Sequence, residues 1–169
     1  MISKQSKILF LGLLFIVALI FARGGAPIAE NNEYKNLDRS GDCDTTLWGR
    51  VYNPDRLEIL NSCVTVTGTI EESNPDDDGD QHMLLRLDKG FENYVNERNF
   101  KKKNGCLVIE AVCVNGVYKK KVGSTCDGYV NNVLIPNIGD RVSVTGSFVN
   151  DTHNGWNEIH PITKIEILK

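Results

Sequence analysis

The chain has 169 residues, 41% of them apolar and 24% charged, with a formal net charge of −3. That length accommodates one domain plus extra segments, and the apolar content is too high for a disordered chain. A net-acidic protein lacks the broad positive field that drives non-specific binding to nucleic acid.

The N-terminus stands apart. Lys4 and Lys7 precede an uncharged apolar run from Ile8 to Ala22, and Arg23, Gly24, Gly25 and Pro27 follow it. This is the basic-then-apolar layout of a secretory signal. The run spans 15 residues, short of the ~20 that cross a membrane comfortably. The expected organisation is residues 1–22 as a signal peptide or membrane anchor, 23–42 as a flexible linker and 43–169 as the folded domain. Cleavage would release Lys4 and Lys7 and leave a secreted chain of net charge −5. Without cleavage, residues 8–22 would be the one membrane contact.

Export fits the cysteines, of which there are five. None has the C-x-x-C spacing of a zinc or redox motif, and an oxidising compartment makes disulfides the default. Cys43 and Cys63 flank the approach to the first strand, and Cys113 and Cys126 flank a Gly- and Lys-rich loop. Those two pairs are expected to bond. Cys106, on an apolar strand, is expected to be a buried thiol.

Leu47 to Leu60 form an apolar cluster around the turn signal Asn53-Pro54-Asp55, read as a loop or short helix covering one end of the domain. Strands follow at Cys63–Ile70 and Gln81–Leu87, separated by a turn over Glu71–Asp80. Residues 88–104 are polar and read as a surface excursion. A nearly continuous apolar run, Cys106–Asn115, suggests a strand covered on both faces. Two more strands close the chain around Asp151–Gly155: Val142, Val144 and Phe148 alternate with polar residues, and a second alternating run extends from Trp156 to Leu168. The segments VTVTGT (64–69) and VSVTGS (142–147) echo each other, glycine included. A glycine inside a strand marks a bulge or a bend, so two long strands are expected to bend alike, as in a small closed barrel.

The order of these strands, the glycine in the first, the gap before the fourth and its GDRVSVTG opening resemble an OB-fold over residues 63–168. The resemblance implies an all-β, five-stranded, closed or partly open barrel with long loops. CVTVTGTI, DGDQHMLLRLD and HNGWNEIHPITKI are also similar to a group of exported bacterial and archaeal proteins. That likeness carries no catalytic residues to transfer.

Three constellations are candidates for chemistry. Trp156, Glu158 and His160 share one face of the last strand, and His82 and Arg86 share one face of the second. Together they are the candidate ligand face. His82, Glu158 and His160 are also the candidate ligands for a divalent metal, because imidazole with carboxylate is a workable set. The competing reading makes them half-buried packing residues with polar tips hydrogen-bonded to turns. Asp76, Asp77, Asp78 and Asp80 surround Gly79 as in a calcium loop, but the EF-hand Glu six residues after the glycine is replaced by Leu85. Arg86, Arg141, Lys101–Lys103 and Lys119–Lys121, with Phe91, Tyr129 and Trp156, give basic and aromatic groups for single-stranded nucleic acid. The acidic 76–80 loop opposes that partner, which the residues do not favour. No nucleophile elbow, phosphate loop or dinucleotide fingerprint is present. The expectation is an exported binding module with an extracellular ligand or protein partner. The alternatives are a metal-dependent hydrolase or nuclease using His82, Glu158 and His160, and a structural envelope protein.

Overall fold

The computed structural model describes residues 43–117 and 124–169. The expected signal, the linker and the Lys119–Lys121 run lie outside the described residues. The remainder is mostly β: strands β1 (Leu57–Pro75), β2 (Gln81–Leu87), β3 (Leu107–Ala111), β4 (Arg141–Asp151) and β5 (Asn157–Ile167), with one short helix, α1 (Glu97–Lys102). The strands close into a barrel in the order β1-β2-β3-β5-β4. The β3–β5 pairing is parallel and the other four are antiparallel.

β1 is longer than the alternation of residues 63–70 suggests. Leu57–Asn61 pair with β4, and Glu72–Pro75 pair with β2 beyond a register shift at Ile70/Glu72. These two ends are largely solvent-facing, so they lack the alternation by which a half-buried strand announces itself. The turn expected over Glu71–Asp80 shrinks accordingly to Asp76–Asp80, closed by Asp76 N–H to Asp80 O at 2.9 Å.

Side chains alternate across the sheet. Val64, Val66, Ile70, Met83, Leu85, Leu107, Ile109, Val142, Val144, Ile159, Ile162 and Ile165 fill the interior. The two echoed glycines stand where backbones approach. A Cβ on Gly146 would lie 2.5 Å from Ile159 Cγ2 and 2.5 Å from Pro161 O, and one on Gly68 would meet the Arg86 carbonyl.

The outer face carries two smaller apolar clusters. Leu47, Val51, Leu57, Val112 and Val149 form one, with Trp48 and Tyr129 against it; Leu84, Cys106 and Val108 form the other, under Trp156. The first contains Leu47, Val51 and Leu57 of the apolar cluster expected around Asn53-Pro54-Asp55, carried on two 3₁₀ turns, Thr45–Arg50 and Pro54–Arg56, while Ile59 and Leu60 lie exposed on β1 instead. Cys43 is bonded to Cys63 and Cys113 to Cys126, while Cys106 is a buried thiol. Among the described residues no helix is long and apolar enough to cross a membrane.

α1 sits inside the expected surface excursion. Asn96 caps it, accepting from the backbone N–H groups of Arg98 and Asn99. Asn99 is fully buried and ties three segments: its amide donates to the carbonyls of Cys106 and Asn157, and its carbonyl accepts from Asn157 N–H at 2.9 Å. The start of β5 is thereby fixed immediately before Glu158.

Candidate functional site

β3 reads Leu-Val-Ile-Glu-Ala, and all five residues are buried. Leu107, Ile109 and Ala111 point into the barrel, so Val108 and Glu110 point out. In the parallel register Val108 faces Glu158 and Ile109 faces Ile159. Continuing it by one residue sets Glu110 beside His160. On the other flank Glu110 pairs with His82 of β2. Three neighbouring strands thus deliver ionisable groups to one patch of the outer face, between the two apolar clusters.

The patch is sealed. Glu158 is 0% and His160 1% exposed, and Asp80 and Glu110 are also buried. His160 Nδ1 stands 3.1 Å from Glu110 Oε2 and 3.1 Å from Glu158 Oε1. Trp156 Nε1–H donates to the second oxygen of Glu158 at 2.9 Å. The Glu158 carboxylate at Nδ1 calls for a ring proton there, because an ionised carboxylate only accepts. The other nitrogen, Nε2, is buried without a hydrogen-bond partner. It points toward Asp80 Oδ2 at 3.8 Å, beyond hydrogen-bond range. Asp80 is itself held by Cys113 N–H at 2.8 Å.

Burial shapes the charges. Desolvation pushes Glu110 up to about 8; the charges of Glu158 and Asp80 add to this, while His160 and Arg56 oppose it. Asp80 is raised to about 6, again by burial first, against the pull of His160. Burial alone would lower His160, but the charge of Glu110 and the hydrogen bond and charge of Glu158 outweigh it and lift the imidazole to about 9. His82 moves the other way, lowered by burial and then by the Lys103 cation. Lys103 Nζ lies 3.2 Å from His82 Nε2, and an ammonium can only donate. That ring nitrogen therefore accepts. The same ammonium rests 4.1 Å over the Trp156 ring and roofs the patch from outside.

Of the five residues expected on the ligand face, the fold joins Trp156, Glu158 and His160 directly. His82 reaches the group through Glu110, its Nε2 4.0 Å from Glu110 Oε1. Arg86 stays outside: it is exposed and paired with Glu71 at 2.5 Å. Arg141 is likewise tied to Asp88 at 2.7 Å, Tyr129 lies under the Arg50 guanidinium and Phe91 belongs to the interior. Cys106 is a buried free thiol, and burial pushes its pKa up, away from the nucleophilic thiolate.

Sequence reasoning did not single out Glu110 as a site residue, and it assigned Asp80 only to the acidic turn. A single charge inside an apolar run is the informative exception to the rule that apolar residues go inside, and Glu110 is such a charge. Asp80 is hidden among three neighbouring aspartates.

A second feature lies at the end of the barrel. Tyr52, Asn53, Asp55, Arg56, Thr152 and His153 line a cleft of about 570 Å³ between the Pro54–Arg56 turn and the β4–β5 turn. Thr152 clamps the two turns, donating from N–H and Oγ1 to Arg56 O, both at 2.8 Å. Arg56 Nη1 is 3.6 Å from Asp151 Oδ2, and its Nε is buried without a partner.

No protein-family model matches the chain, and no curated protein matches it.

Proposed function

We propose that this chain is an exported binding module on an OB-like barrel, with its ligand in the cleft beside Arg56. The observation that carries the reading is the division between open and sealed polar groups. The histidine and carboxylates with the most perturbed chemistry are out of reach of a substrate. The accessible polar concavity, by contrast, is lined by Arg56, whose side chain keeps 29% of its surface exposed. On an OB-like barrel the β4–β5 turn that forms one wall corresponds to a loop used to bind oligonucleotides and oligosaccharides, which supports the reading. The arginine calls for a carboxylate or other anionic group on the ligand. Two disulfides suit an extracytoplasmic location.

A metal-dependent hydrolase using His82, Glu158 and His160 needs an ion with an open coordination position. The burial of Glu158 and His160 supports a closed role for them instead.

The test is chemical-shift mapping on the labelled protein with three probes: an acidic peptide, an anionic oligosaccharide and single-stranded DNA. Saturable shifts confined to residues 52–56 and 151–156, lost in Arg56→Ala, support the reading. Saturable shifts centred elsewhere, or none with any probe at millimolar concentration, overturn it.

A further inference from the structure

We propose that Asp80, Glu110 and His160 form a closed centre for a divalent cation of the zinc or manganese class, with Glu158 as the residue that orients His160. The inference is independent of the cleft and its ligand.

Three observations carry it. The first is proximity: one donor atom from each of Asp80, Glu110 and His160 lies within 4.8 Å of the others. The second is the unpartnered nitrogen. His160 is 1% exposed, its Nδ1 is engaged by Glu158, and Nε2 faces Asp80 with nothing to bond. This is the arrangement of metal-ligating histidines, in which the far nitrogen donates to a carboxylate and the ion takes the place of the proton on the near one. Glu158 takes that orienting part here, and is itself anchored by Trp156.

The third observation is spacing. His160 Nε2 and Asp80 Oδ2 are 3.8 Å apart, too far for a hydrogen bond. Two ligands at zinc distances of about 2.0–2.2 Å stand roughly 3.4 Å apart around a tetrahedral ion and at most about 4.2 Å apart. The gap is that of two groups sharing an ion, within a few tenths of an ångström.

Asp80, Glu110 and Glu158 are three buried acidic side chains around one imidazole, and buried charges are paired or coordinate metals. One nitrogen with carboxylate oxygens selects zinc or manganese over soft-metal chemistry, and the burial of all three ligands keeps a substrate away from the ion.

The experiment uses the full chain with its disulfides intact. Metal content is measured on protein as isolated, and again after unfolding in denaturant and refolding with zinc or manganese, followed by exhaustive dialysis. Because the chain has three histidines, long-range proton–nitrogen spectra of the zinc form resolve each ring separately. The expected result is one ion per chain, a large shift of His160 Nε2, and Nδ1 still protonated. Asp80→Asn and Glu110→Gln, which keep shape, should each lower affinity at least tenfold. Glu158→Gln should weaken it about 10–100-fold, the usual effect of losing a residue that positions a metal-bound histidine. Should a variant fail to fold, the wild-type histidine spectra decide alone. Absence of stoichiometric zinc or manganese after refolding overturns the proposal. So does an ion that shifts His82 or His153 and leaves His160 unmoved.

Discussion

Gly146 offers the sharpest test of how the barrel closes. Replacing it with alanine sets a Cβ 2.5 Å from Ile159 Cγ2, 2.5 Å from Pro161 O and 3.0 Å from Ile162 Cα. Ordinary contacts of this kind begin near 3.4 Å, so close to an ångström must be recovered. Two of the three obstacles are backbone atoms of β5 and cannot rotate aside. Overpacking of a filled interior costs about 1–3 kcal/mol, and the immovable neighbours put Gly146→Ala at the upper end, near 3 kcal/mol. Gly68→Ala should cost about the same, because its Cβ would run into the Arg86 carbonyl. At Gly49 a Cβ would meet no heavy atom within 4 Å; Gly49→Ala should be neutral or stabilise by up to ~1 kcal/mol through the unfolded chain. Urea denaturation of the three variants reads these differences, with an unchanged slope showing that the cost lies in the native state. A Gly146→Ala loss below ~0.5 kcal/mol, under the range for overpacking, would refute the strand approach described at this position.

The two disulfides close loops with separations of 20 and 13 residues. By loop entropy each contributes about 3 kcal/mol, so Cys43→Ser/Cys63→Ser and Cys113→Ser/Cys126→Ser should each lower urea stability by that order, and a loss below ~1 kcal/mol for either would contradict the loop-entropy account. Asp88 accepts from Arg141 and from Thr67, which hold its carboxyl below the ordinary range. A depressed folded pKa adds stability above the unfolded value of about 3.9, and that stability is lost as pH falls through the folded value. Asp88→Asn should therefore cost up to ~1 kcal/mol near neutrality, with the difference from wild type shrinking as pH falls below the unfolded value of about 3.9; a difference that stays constant as the carboxyl is protonated would count against the ion pair as its source.

How far the chain can be read depends on what each residue faces. β2 is legible because Met83 and Leu85 point into the barrel while His82 and Arg86 do not. β4 is legible because Val142 and Val144 alternate with polar neighbours. The ends of β1 are not, since Leu57–Asn61 and Glu72–Pro75 are held by pairing and face water in a pattern of no period. α1 escapes notice for a related reason: Glu97–Lys102 is too short to show a helical stripe, and what fixes it is two asparagines, the cap Asn96 and the buried Asn99. The site divides in the same way. Glu158 and His160 declare a shared face by their spacing, whereas the addition of Glu110 and Asp80 depends on β3 running parallel to β5 and on the Asp76–Asp80 turn folding back. Neither is encoded within any one stretch of sequence.

The position of the sealed patch has a mechanical logic. The barrel closes between β3 and β5, the one parallel pairing, whose register covers Val108 and Ile109 opposite Glu158 and Ile159. The β1–β4 pairing, by contrast, extends from Leu57 to Thr69. Parallel ladders are slightly weaker per residue, so this short parallel pairing is where a closed sheet gains most from a tie outside the backbone. Glu110 on β3 meets His160 and Glu158 on β5 at that place, and Asp80 reaches it from the start of β2. The interior needs none of them, since its apolar residues fill it without a polar contribution. Four buried ionisable groups are costly unless fully compensated. Their concentration at the closing seam, away from the accessible cleft, fits a lock on the barrel better than a site of turnover.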